Sequence, residues 1–219
     1  MKKSKAQGIL EVVIAIYIAV VGILSIMNLV VANLRVERFN HNMLKATNLA
    51  REGVEVVRNI RDSNWIDGLA WSSGLLPDLA IDGDSRTFIL DNKYPREDQD
   101  GYILEYISIP WDKCLETGQC KLFLAWPEES PNQKIYVHKD SMEGLDSYQL
   151  SDANFYRIIY IDAICYNDEW EDEIINTSPE SECEDPTNFI GLQVTSLVGW
   201  NDGGSIKTTQ IQERIYNWK

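Results

Sequence analysis

Between Val12 and Leu34 the chain runs for 23 residues without a charged side chain. As a helix rising about 1.5 Å per residue it would span roughly 35 Å, against a bilayer hydrocarbon core of about 30 Å. Lys2, Lys3 and Lys5 lie in front of the run, while Arg35 and Arg38 behind it are offset by Glu37. That asymmetry holds the N-terminal end in the cytoplasm and puts the rest of the chain outside. A cleavable secretory signal has a shorter apolar core, about 7–15 residues, and a small-residue site after it. Val30-Val31-Ala32-Asn33 serves poorly as such a site. A plain single-pass anchor fits the length equally well.

The plain anchor leaves Glu11 unexplained. It stands at the start of the apolar stretch, between Leu10 and Val12. A carboxylate at membrane depth costs several kcal/mol unless paired, which makes it a functional candidate, whereas one turn inside the headgroups it is cheap. The order around it decides between these. Small Ala6, polar Gln7, then Gly8, Ile9 and Leu10, then Glu11 and a long aliphatic run resemble the prepilin processing signature of the type IV pilin family. The resemblance implies cleavage by a prepilin peptidase between Ala6 and Gln7 and N-methylation of the new amine. Glu11 becomes the fifth mature residue, which in that family assists subunit docking. The physical sense is that a cationic amine on Gln7 neutralises a glutamate in an apolar filament core. Two positions depart from the family pattern: Ala6 stands for the usual glycine, and Gln7 for the usual apolar first residue. Cleavage after Gly8 instead would make Glu11 third and break the docking register.

Helical patterning continues past Leu34. Val36, Phe39, Met43, Ala46, Leu49, Ala50, Val54, Val57 and Ile60 recur at three- and four-residue steps, one apolar face of an amphipathic helix. The spacing predicts a helix from about Ile9 to Asp62, near 80 Å long. Gly22 and Gly53 interrupt it. In pilins a glycine in the membrane half lets the helix loosen on assembly; a close-packing position explains Gly22 equally well. The chain therefore reads as a leader (1–6), a transmembrane and assembly helix (7–34), its amphipathic continuation (35–65) and an extracellular β-rich head (66–219).

Residues 66–101 are rich in Gly, Asp, Ser and Pro, with Thr87–Leu90 a short strand. Further strands are expected at Tyr102–Ile109, Lys121–Trp126, Lys134–His138, Asn154–Tyr166, Ile190–Trp200 and Ser205–Trp218, where β-branched and aromatic residues concentrate. Asn201-Asp202-Gly203-Gly204 predicts a hairpin turn between the last two. The fold class is α+β, a long N-terminal helix packed on an antiparallel meander. The four cysteines, Cys114, Cys120, Cys165 and Cys183, allow three pairings. The sequence-local one, Cys114–Cys120 with Cys165–Cys183, is preferred for an exported head, and the spacings suit zinc poorly.

Little in the head signals catalysis. His41 and His138 are the only histidines, each reads as an ordinary surface residue, and no phosphate-loop, dinucleotide or zinc-protease motif is present. No metal site and no cofactor is expected, save that Asp82-Gly83-Asp84 and Asp98-Gln99-Asp100-Gly101 resemble fragments of a calcium loop without its closing glutamate. Net charge is −14, and losing Lys2, Lys3 and Lys5 takes the side-chain total to −17, which disfavours nucleic acid as a partner of the head. The acidic stretch Asp168–Glu173 reads as a solvated loop, inside a Cys165–Cys183 loop that faces outward for recognition. The expected function is a non-enzymatic filament subunit, a minor pilin in role. Its expected partners are other pilin subunits, the prepilin peptidase, the assembly platform and the inner membrane, before display on the cell surface. The alternatives are a secretion-system pseudopilin and an uncleaved, membrane-tethered binding protein.

Overall fold

A computed structural model describes residues 5–75, 87–91, 103–106, 109–129, 131–138, 148–167, 172–176, 183 and 188–217. One helix, α1, runs unbroken from Lys5 to Ile66, beginning before Ile9 and ending after Asp62. It closes where the amides of Gly68 and Leu69 bond back to the carbonyls of Trp65 and Asn64, a Schellman-type stop. The chain divides into two compact units, Met1–Leu44 and Lys45–Lys219. The boundary falls inside α1, so Lys45–Ile66 belongs with the head.

Among the described residues of the head, eight strands form one antiparallel sheet: β1 (Thr87–Asp91), β2 (Ile103–Tyr106), β3 (Lys121–Pro127), β4 (Ile135–His138), β5 (Tyr148–Asn167), β6 (Asp172–Asn176), β7 (Phe189–Asp202) and β8 (Ser205–Tyr216). The fold is α+β, but the sheet is not a simple meander. β5, 20 residues long, is its spine. β7 lines one side of it from Phe155 to Cys165, and β3, β1 and β6 share the other side in succession. A sequence-neighbour reading misses this because one strand is long enough to serve three partners end to end. β5 also starts earlier than Asn154, carried across a bulge where Asn154 adopts a positive φ of 59°. There the Asn154 amide donates to the Asp152 carboxylate.

Two layers cover the sheet. On one face, Ala46, Leu49, Ala50, Val54 and Val57 of α1 are buried, and Val54, Val56 and Val57 pack with Ile159, Ile161, Leu192, Val194 and Ile215. Small residues let the helix approach closely: a Cβ built on Gly53 would lie 2.5 Å from Ser196 Oγ and 3.2 Å from Ile159 Cδ1. On the other face sits a short helix absent from the sequence expectation, α2 (Trp111–Thr117). The Cys114–Cys120 disulfide closes it and packs with Ile89 and Ile158. Its Trp111 ring lies against Gly199, where a Cβ would come within 2.7 Å.

The β7–β8 hairpin turns through Gly203 and Gly204, both at positive φ (63° and 93°), with Asp202 opposite Ser205. A two-residue turn with both φ positive matches the twist of the flanking strands and strongly favours glycine. Gly53→Leu is expected to destabilise the head by about 1–3 kcal/mol through overpacking. Urea unfolding of the full-length protein in detergent, followed by tryptophan fluorescence, checks it: the midpoint should fall, whereas Gly22→Leu should leave it in place.

Candidate functional site: the exposed N-terminal helix

From Gly8 to Leu44 the side chains of α1 are exposed, apart from half-buried Phe39 and Asn42. Ile9, Tyr17, Ile23, Leu29 and Leu34 stand among them, at 67%, 69%, 61%, 61% and 49% exposure. This is the one helix long and apolar enough to cross a membrane among the described residues. Its backbone is satisfied internally, as lipid requires. Ser25, mid-run, donates its hydroxyl to the Val21 carbonyl at 2.8 Å, so it brings no unsatisfied polar group into that stretch.

Ala6 and Gln7 lie in the first turns of the same helix, on the backbone leading to Glu11. Glu11 is exposed and has no ion-pair partner among the described residues. Val12, Gly22 and Leu34 mark the start, interior and end of the uncharged run, and among the described residues a Cβ built on Gly22 would meet nothing within 4 Å beyond the adjoining helix backbone. From Gly8 to Leu34 the helix thus presents one carboxylate, Glu11, ahead of an uncharged run.

In the head, the structure joins Cys114 to Cys120 and Cys165 to Cys183. The second disulfide ties the end of β5, but the segment it encloses is not simply a loop. Asp172–Asn176 forms β6 and pairs with Ala163–Asn167, because Ile174 and Ile175 interrupt the acidic run. Glu173 accepts hydrogen bonds there from Arg214 (2.9 Å) and the Tyr216 hydroxyl (3.0 Å). The calcium-like fragments at Asp82, Asp84, Asp98 and Asp100 lie outside the described residues. Among those described, no three His, Cys, Asp or Glu side chains gather as metal ligands.

His138 is the clearest correction. Far from being a surface residue it is fully buried, opposite Leu122 on β3. Beside it is a polar node that sequence reading did not isolate. Arg157, 1% exposed, donates to Glu52 (2.9 Å) and to the Leu49 carbonyl (3.3 Å), tying β5 to α1. A signal existed, since Arg157 shares the strand face of Phe155, Ile159 and Ile161 and so points at the helix. His41, by contrast, is exposed. The node holds strand to helix.

No protein-family profile, characterised protein or solved structure matches this chain.

Burial, and secondarily the Arg157 guanidinium, hold the His138 imidazole well below its ordinary value, so it is neutral when folded. Unfolded, it titrates near pH 6.5. The unfolded state therefore binds more protons below that pH, and stability is full above it and drains as pH falls. The full-length protein should lose up to about 1.4 kcal/mol per pH unit below pH 6 through this one group. Comparing urea midpoints at pH 7 and pH 5 tests this. His138→Phe should show a smaller drop than the parent, and equal drops would contradict it.

Proposed function

We propose that this chain is a membrane-inserted precursor of an extracellular filament subunit of the type IV pilin kind, a minor pilin in role. Cleavage between Ala6 and Gln7 releases a short cationic leader, and the new amine is methylated. The inner membrane holds the apolar half of α1 until the assembly platform extracts it, after which neighbouring subunits enclose it and the heads form the filament surface at the cell exterior.

The observation that carries this reading is the pairing of two facts on one helix. A 23-residue uncharged run leaves its side chains exposed, and a single carboxylate, Glu11, stands at its head at the spacing of the prepilin signature. An anchor has no use for that acid. A filament does, because a methylated amine on Gln7 of one subunit and Glu11 of its neighbour neutralise each other where no water can. Two disulfides support export of the head to an oxidising compartment. The head acts as structure and surface, with no enzymatic role in this proposal.

N-terminal mass spectrometry of the protein from its native host tests the processing step. The mature chain is expected to start at Gln7 and carry one added methyl group on its amine. A chain retaining Met1–Ala6 would make the protein a tethered ectodomain instead.

A further inference from the structure

Among the described residues, β8 pairs only with β7, through an unshifted register from Ser205–Asp202 to Tyr216–Gly191. Its outer edge is 12 residues long, whereas the other outlying strands, β2, β4 and β6, have 4, 4 and 5. Short, bulged, proline-bearing or lysine-studded edges resist pairing with other chains. β8 has no proline or bulge, and from Ser205 to Gln212 it carries a single charge, Lys207. Ile206, Thr208, Gln210 and Gln212 are exposed along it. Such an edge is a template for an added strand, whose main-chain hydrogen bonds supply the affinity and whose opposed side chains set the register.

We propose that β8 pairs edge to edge with β8 of a second copy of this chain, antiparallel and centred on Gln210. Charge placement selects this occupant and this register. Lys207 and Glu213 lie three residues either side of Gln210, so a twofold about that residue sets each lysine opposite the other copy's glutamate. It also sets Thr209 opposite Ile211, a β-branched pair of the kind sheets favour. A slip of one residue either way would oppose Lys207 to Gln212 or to Arg214 and lose both ion pairs. Lys207 and Glu213 share the face toward α1, as directly opposed residues must, and Glu213 is already steadied there by Arg58. Lys207, Glu213 and Arg214 are the only charges on the strand, so the acidity of the whole chain is not expressed at this edge. The contact is isologous, so it closes at two copies. It goes beyond the filament reading and does not depend on it.

The experiment uses the full-length chain in its own membrane with Gln210→Cys, under mild oxidation. A covalent dimer is expected, while Thr117→Cys, also exposed but on α2, stays monomeric. Adding Lys207→Glu to Gln210→Cys should cut the dimer roughly tenfold, because two attractive cross-strand pairs become repulsive. Peptide mapping of both native disulfides confirms that each variant is folded. Absence of the Gln210→Cys dimer overturns the proposal. So does an equal dimer from Thr117→Cys, which would place the contact elsewhere, or a yield indifferent to Lys207→Glu.

Discussion

Apolar surface left in water costs about 25 cal/mol per Å², and the first half of α1 consists of little else. Among the described residues, the unit Met1–Leu44 offers no second element to cover it. Cover must come from outside this unit, in our proposal from lipid and then from the same helix of other subunits, and this demand organises the rest of the proposed account. It explains why the chain opens with one continuous helix and why an acid at the edge of the run stands out. Its answer in the head is the opposite solution, in which the second half of the same helix finds its cover within the chain. Gly53 lets α1 come close to β5 and β7, where a Cβ would meet Ile159 and Ser196, and Val54, Val56 and Val57 pack on the sheet nearby.

The head is held by packing on two faces rather than by one. Valines of α1 and the Cys114–Cys120 corner press on opposite sides of the sheet. Between strand and helix, Arg157 carries a charge into the core and is compensated by Glu52 and a backbone carbonyl. Removing one partner of such a pair leaves an uncompensated buried charge, typically costing about 3–5 kcal/mol. Its effect is to fix where along β5 the helix docks. In the proposed filament reading, specificity of docking matters because one helix serves two environments in series.

Much of this was legible in the sequence because it rests on local periodicity. The helix shows itself through its uncharged run and its three-four spacing, and the β7–β8 hairpin through two adjacent glycines that suit its positive-φ turn. The strands at Lys121 and Ile190 are likewise visible in their β-branched and aromatic content. What was not legible depends on partners distant in the chain. The length of β5 and its sharing among β3, β1 and β6 cannot be read from any one segment. Nor can the burial of His138, since a four-residue strand gives no hint of which face is covered. The strand β6 was hidden by its acidic flanks, and α2 by its seven-residue length. Of the candidate site, Glu11 and the apolar run are plain in the sequence. What the structure adds is that nothing among the described residues of the unit Met1–Leu44 covers that run.

The central claim is that Glu11 serves contacts between subunits and not the fold of its own chain. Comparing Glu11→Ala with the parent in the native host, by the amount of the protein in sheared surface filaments relative to membranes, tests it most directly. The account predicts that the variant accumulates in the membrane with an intact, disulfide-bonded head and is lost from the filament fraction. Undiminished filament incorporation of Glu11→Ala would contradict it.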